Sequence, residues 1–320
     1  LRNMPAGRRT LSVLTTGIVA GTVNIRLIEK ERPLKNVFRA VPLALAALIA
    51  LPIFAADEAP KITEETPYVP SPKIVVDTML RMANVRTGDF LIDLGSGDGR
   101  IIITAAKEYQ ARGFGVDYDP RLVKLANENA QKAGVADRAR FIDQNVFKTD
   151  LAQASVVTIY LLPEYNAVLK PTLLALKPGT RIVSHDYGIG DWEPDAQSKV
   201  VVPEKPVGVE KASWIYYWMV PAQVQGHWRS RIPTAKGASV LEFNLTQHYQ
   251  KVEGTAKIGA STVAIERPVL KGDALSFELT EGKQQLRFEG RISAGQLSGQ
   301  LLSGGKKHPW RAVRIDAPKV

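Results

Sequence analysis

The sequence predicts an α/β fold, a mostly parallel sheet with helices on both faces, followed by a separate all-β module. Three observations predict it. From Phe90 to about Val220, short apolar runs alternate with amphipathic segments, the pattern of βαβ units. From Gln223 onward the helical spacing stops, and short alternating segments are separated by Gly, Asp and Ser. The chain has 320 residues, 45% hydrophobic and 23% charged, enough for two domains that each bury a core.

Taken in order, residues 56–70 are acidic and Pro-containing and read as a linker. Ser71-Pro72 predicts an N-cap and a first-turn proline, with Ile74, Val75, Thr78, Met79 and Met82 following at helical spacing. Strands are predicted at 90–94, 113–117, 139–142, 155–160 and 180–184, and helices at 99–109, 120–133 and 164–176. The helix at 120–133 carries Asp119 as cap, Pro120 in its first turn and Gly134 just past its end. Two further apolar runs, 199–203 and 213–220, have no helix between them and predict an antiparallel hairpin closing a domain that spans 71–221. In the domain at 222–320, strands are predicted at 241–245, 252–258, 275–279, 285–288, 297–301 and 310–315. Both a barrel and a sandwich satisfy that pattern. Gly226-His227-Trp228 and Trp310-Arg311-Ala312 are loosely similar to lipocalin-type small barrels.

The chain has 42 Lys and Arg against 32 Asp and Glu, a net charge of +10. Residues 1–55 hold eight basic and two acidic residues, and 222–320 hold 15 basic and eight acidic, so the excess lies at the two ends. Lys35 and Arg39 precede the apolar run AVPLALAALIALPIFA (40–55), the layout of a secretory signal peptide, with cleavage expected after Ala55 or Ala56. The run is short and holds Pro42 and Pro52, against a spanning helix; an uncleaved signal would leave the chain membrane-anchored. A periplasmic or secreted protein is expected, in contact with membrane only through this N-terminal segment. In 222–320 the basic residues are scattered singly apart from Lys306-Lys307, with no nucleic-acid-binding signature, so no nucleic-acid partner is expected. The absence of Cys excludes a disulfide scaffold, a thiolate metal site and a cysteine nucleophile. His227, His248 and His308 lie too far apart in sequence to suggest a metal site.

The chemistry-bearing motif is Asp93-Leu-Gly95-Ser96-Gly97-Asp-Gly99-Arg, which follows the strand FLIDL and opens a helix. Its glycines let the backbone turn sharply and lie against a ligand at a helix N-terminus. A dinucleotide fingerprint needs its third glycine one position later, where Arg100 stands. Glycines preceded by an acid suit S-adenosylmethionine (SAM), whose methionine end is cationic and has no pyrophosphate. Asp117 ends the next strand, where a carboxylate can accept two ribose hydroxyls. Tyr118 follows it.

Here the chain resembles the class I SAM-dependent methyltransferases, with DLGSGDGR (93–100) and GVDYDP (115–120) as the matching motifs. Together with PYVPSP (67–72) and SHDYGIGDW (184–192), they resemble the small protein-lysine methyltransferases acting on adenine nucleotide translocase and on the c-subunit of ATP synthase. The resemblance implies a Rossmann-like sheet of seven strands with an antiparallel last strand, SAM as cofactor and a protein lysine as methyl acceptor. In FIDQNVF (141–147) it places Asn145 where many relatives carry an Asp that contacts adenine, with Asp143 as the other candidate.

Catalytic groups are expected at the carboxyl ends of the strands. Tyr160 ends the fourth strand, His185 and Asp186 the fifth, and Trp192 lies in the loop beyond. Each has a plain alternative. Tyr160 packs on the sheet, His185 is a satisfied core histidine, Asp186 caps a turn, and Trp192 packs. Tyr68 either closes over the cofactor or anchors the linker. A small-molecule N- or O-methyltransferase and a non-catalytic exported binding module also stay open.

Overall fold

The computed structural model describes residues 68–205, 210–234 and 237–315. The expected signal peptide, and most of the expected linker, lie outside the described residues. The first sheet is built from β1 (Phe90–Leu94), β2 (Arg112–Asp117), β3 (Ala139–Asp143), β4 (Val156–Ile159), β5 (Arg181–His185), β6 (Ala196–Val201) and β7 (Ala212–Met219). Its order is β3-β2-β1-β4-β5-β7-β6. The five strands β3 to β5 are parallel, and β7 runs antiparallel to both β5 and β6. The expected seven strands and closing hairpin are therefore both present.

Helices α1 (Lys73–Met82), α2 (Arg100–Tyr109) and α3 (Pro120–Lys132) cover one face, and α4 (Pro163–Leu174) the other. Successive residues of β1 show how the layers divide: Leu91 packs with α1–α3, whereas Ile92 and Leu94 pack with Leu169 and Leu173 of α4. Burial on both faces explains why the central strands read as unbroken apolar runs. The predicted boundary of α3 holds. The Asp119 side chain accepts from the Arg121 amide at 2.8 Å, and Gly134 has φ +68° just beyond the end. The predicted start of α1 shifts by one residue. Pro72 takes the cap position, its carbonyl accepting from Val75 and Val76 at 3.0 Å, and no side chain caps the helix. Ser71 is buried, and its hydroxyl bonds elsewhere.

The second sheet comprises β8 (Gly226–Thr234), β9 (Gly237–His248), β10 (Lys251–Ile258), β11 (Ser261–Ala264), β12 (Glu266–Lys271), β13 (Ala274–Glu281), β14 (Gln284–Ser293), β15 (Gln296–Ser303) and β16 (Lys306–Arg314). Its strands are ordered β11-β10-β9-β8-β16-β15-β14-β13-β12. The two end strands, β11 and β12, are joined in the chain by Ile265 alone, whose amide donates to the Gly254 carbonyl at 3.0 Å. The two edges therefore meet, and the sheet curls into a barrel and not a sandwich. Trp228, Phe243, Phe277, Phe288 and Trp310 fill its interior. Gly290 makes room for this cluster, since a Cβ there would lie 3.0 Å from the Trp310 ring. The Arg314 guanidinium lies 4.8 Å from the centre of the Trp228 ring and donates to the Gln223 carbonyl, tying the last strand to the segment before the first.

The α/β sheet and the barrel touch where Gly272 lies against Gly179 and Met219, and at the loop after β5. The Trp192 indole N–H donates to Gln250 Oε1 at 2.9 Å, its ring packs against Trp218 and Tyr249, and Lys251 pairs with Glu193 at 2.7 Å. Among the described residues, no helix is long and apolar enough to cross a membrane.

Candidate active site

The strand register places the central acid. In the parallel sheet Asp93 of β1 stands opposite Gly115 of β2 and Thr158 of β4. The Thr158 hydroxyl donates to Asp93 Oδ1 at 2.6 Å. Asp93 is 2% exposed, and its Oδ2 has no hydrogen-bond partner among the described residues. Burial pushes this carboxyl up to about 7, against the Thr158 bond and with further help from the Asp117 and Asp98 charges. A buried carboxylate oxygen without a donor is costly, and a cationic N–H group is the ligand that would relieve it.

Between β1 and α2 the backbone turns through Gly95, Ser96, Gly97, Asp98 and Gly99. Gly97 has φ +52°, and a Cβ on it would stand 2.4 Å from the Tyr68 ring. Gly99 has φ +83°, and a Cβ there would stand 2.5 Å from Phe141. Only glycine fits both the left-handed backbone and the close approach. The Gly97 amide donates to Asp117 Oδ2 at 2.8 Å, and the Asp119 amide donates to Oδ1 at 3.1 Å. The Asp117 carboxylate is thus fixed at the carboxyl end of β2, each oxygen keeping lone-pair capacity for a ligand hydroxyl.

A strap formed by residues 68–71 crosses above this turn. The Tyr68 ring lies over Gly97, and burial, followed by the neighbouring Asp98 charge, pushes its phenol up to about 12. Arg100 grips Asp98 through two hydrogen bonds and donates from Nη1 to the Ser71 carbonyl at 2.7 Å. Together these parts enclose a cleft of about 490 Å³, a volume suited to a small organic ligand. Its wall includes Tyr68, Asp93, Gly95, Ser96, Gly97, Asp117, Tyr118 and Tyr160, eight of the residues expected from sequence. A cation acceptor at Asp93, hydroxyl acceptors at Asp117 and closely approachable backbone between them fit the methionine and ribose ends of SAM.

The remaining expected residues lie outside that wall. Gly99 sits behind the turn, against Phe141. Asn145 is exposed, and its side-chain oxygen is taken by the Phe147 amide at 2.8 Å, so Val146 forms the cleft wall there. Trp192 is fully buried at the barrel contact, and no exposed aromatic stands at its position. His185 is 1% exposed, with Nδ1 2.9 Å from the Ser71 hydroxyl and Nε2 2.9 Å from the Ser213 hydroxyl. Burial drives its imidazole down to about 4, with the Asp186 charge opposing and Lys205 adding. With both nitrogens engaged, it is a neutral buried group and not an accessible base. Asp186 has φ +60°, accepts from the Trp214 amide at 2.9 Å through Oδ1 and pairs through Oδ2 with Lys205 at 2.8 Å.

Tyr160 is the one catalytic candidate that lines the cleft. It is half-buried at the end of β4, its ring 3.9 Å from that of His185 and 6.3 Å from that of Tyr187, centre to centre. Burial, then the Asp186 charge, push its phenol up to about 12, so it stays protonated at ordinary pH.

Sequence reasoning missed Thr158, Asp98 and Arg100, as well as the aim of Ser71. The signal for Thr158 was a lone hydroxyl in the apolar run VVTI; for Asp98 and Arg100 it was opposite charge two residues apart. Among the described residues, no group of three or more His, Asp or Glu could hold a metal ion.

A model of the ANTKMT methyltransferase domain matches residues 93–196. The protein-lysine N-methyltransferase of Saccharolobus islandicus (strain REY15A) is 46% identical over 136 residues, covering 42% of this chain and 84% of that protein. The ATP synthase C-subunit lysine N-methyltransferase of Mus musculus is 38% identical over 131 residues, 40% of this chain and 52% of that protein. The adenine nucleotide translocase lysine N-methyltransferase of Mus musculus is 32% identical over 133 residues, 41% of this chain and 58% of that protein. The chain thus spans just over half the length of these two mouse proteins. Among solved structures, an RNA methyltransferase from Salinibacter ruber in complex with S-adenosyl-L-homocysteine is 47% identical, covers 49% of this chain and 96% of that one, and superposes with a TM-score of 0.44.

Proposed function

Because the chain belongs to the family of ANTKMT-type, SAM-dependent methyltransferases, we propose that it methylates the side-chain amine of a lysine in a protein. The observation that carries this reading is the 46% identity to a protein-lysine N-methyltransferase of which the chain covers 84%. The span matched by the family model, 93–196, includes Asp93, Asp117 and Tyr160. Bound SAM supplies an electrophilic methyl on a sulfonium, so positioning of the acceptor dominates the catalysis.

The chain's own residues divide the work. Asp93 Oδ2 would accept from the ammonium of the cofactor's methionine end, and Asp117 would accept from the ribose hydroxyls. The glycine turn would lie against the ligand, with Tyr68 as its roof. A lysine amine must be neutral to attack, and the half-buried Tyr160 wall favours the neutral form by excluding water. Tyr160 is itself no base at ordinary pH. Its phenolic oxygen can accept an N–H of the amine and so aim the lone pair into the cleft.

Lys35 and Arg39 before the apolar run 40–55 support an exported enzyme. Fractionation of the source cells tests that part: an unprocessed protein confined to the cytoplasm would count against it. For the activity, the full chain is incubated with methyl-labelled SAM and lysate, followed by protease, RNase and small-molecule extraction arms. Expected is protease-sensitive label that maps to methylated lysine. Label in RNA or in small molecules only would overturn the lysine reading, and no label with intact SAM binding would favour a non-catalytic binding module.

A further inference from the structure

We propose that His185 is a positioning residue, latching the strap formed by residues 68–71 over the cofactor cleft and holding the Tyr160 ring in place. The inference rests on the methyltransferase reading above and adds to it a part not touched by substrate or cofactor.

A buried imidazole must satisfy two ring nitrogens. Backbone groups would serve equally well, yet both hydrogen-bond partners of His185 are side-chain hydroxyls on separate segments, and the Asp186 carboxylate stands 3.5 Å from Nε2. Nδ1 stands 2.9 Å from the hydroxyl of Ser71 on the strap, 114 residues away in sequence. Nε2 stands 2.9 Å from the hydroxyl of Ser213 on β7. Each hydroxyl can donate or accept, so the neutral ring is satisfied in either tautomer. The Ser71 hydroxyl takes no part in capping α1 and is free for this contact. The strap is also held at the glycine turn, by Arg100 on the Ser71 carbonyl at 2.7 Å and by the strap's own Tyr68 seated on Gly97.

A face of the imidazole carries Tyr160. Their ring centres are 3.9 Å apart with planes tilted by 33°, and Tyr160 lines the cleft while His185 does not. One buried ring therefore touches the strap above the cofactor and the tyrosine on the acceptor side. Displacing it would loosen the strap and misplace Tyr160 together.

The test uses the full chain, with S-adenosyl-L-homocysteine as the calorimetric probe and label transfer into lysate protein as the measure of turnover. Ser71→Ala removes one net hydrogen bond from the latch and should weaken the probe roughly five- to tenfold. His185→Gln carries its amide to the Nε2 position, away from Ser71, and should show the same loss. His185→Asn carries its amide to the Nδ1 position and should keep near-wild-type affinity. It removes the ring beneath Tyr160, however, so its turnover should fall roughly ten- to a hundredfold. A general loss of packing would not split affinity from turnover in this way. Unchanged affinity in Ser71→Ala, or Asn and Gln variants that behave alike, would overturn the latch. Should the His185 variants fail to fold, Ser71→Ala decides alone, since it removes a single oxygen. A wild-type chain that binds the probe but labels nothing would overturn the enzyme reading and leave the latch to be judged on the affinities.

Discussion

Replacing Asp93 by Asn separates the charge of this side chain from its shape, and the structure gives the effect two opposite signs. The folded protein raises the carboxyl from 3.8 to about 7, chiefly by burial. Between pH 4 and 7 the folded chain therefore keeps a proton that the unfolded chain releases, so stability falls as pH rises through that window and levels off above it. From pH 5 to 8 about two units of that window are crossed, about 3 kcal/mol at about 1.4 kcal/mol per unit. The amide of the Asp93→Asn variant does not titrate. The melting temperature of wild type minus that of Asp93→Asn should therefore fall by roughly 6–12 °C between pH 5 and 8 in the ligand-free proteins. Other carboxylates are common to both chains and cancel in the difference.

Cofactor binding should run the other way. The ligand's ammonium requires ionised Asp93, so below about pH 7 a proton must leave on binding, and affinity should drop about tenfold per pH unit. Calorimetric titration with S-adenosyl-L-homocysteine from pH 5.5 to 7.5, in two buffers of different ionisation heat, measures both the slope and the proton released. Asp93→Asn should bind weakly with no slope over that range. A flat wild-type profile, or an equal slope in the variant, would refute the assignment of the unpaired Oδ2 to the cofactor.

Thr158→Val removes the hydrogen bond to Asp93 Oδ1, which opposes the upward shift, so the affinity profile should move to higher pH with little change in its plateau. Gly97→Ala places a methyl 2.4 Å from the Tyr68 ring at φ +52°, and should weaken S-adenosyl-L-homocysteine by more than tenfold through displacement of the strap. Trp192→Phe keeps an aromatic ring but loses part of the buried packing and the hydrogen bond to Gln250; melting should drop while cofactor affinity holds, and a large affinity loss would return Trp192 to the site. Trp228→Ala hollows the barrel beside Phe243 and Arg314, and should cost about 3–5 kcal/mol in urea unfolding.

How much of this was legible depends on how local the deciding interaction is. The strand at 90–94 and the helix beginning at Pro120 were readable because burial on both faces leaves an unbroken apolar run, and because Asp119 and Pro120 set the helix start by themselves. The cofactor motif was equally readable, since Asp93 and its glycines lie within seven residues and the chain itself holds them together. In β8, Trp228, Ser230 and Ile232 point inward between Arg229 and Arg231; the alternation is present, but a buried Ser and flanking arginines hide it. Thr158 acquires its role only when β4 is set beside β1 in one register, which no local pattern states.

Ser71 shows the limit most sharply. Its Ser-Pro context is a sound local signal for a cap, worth about 1 kcal/mol. A buried histidine 114 residues away offers the same hydroxyl a partner in the interior, where an unmet polar atom costs about 1–3 kcal/mol. The buried demand outweighs the cap. The helix start slides to Pro72, whose carbonyl takes the first two amides, and the hydroxyl is left to the imidazole. A local rule was overridden at the segment that roofs the cleft, where tertiary demands on a single side chain are greatest.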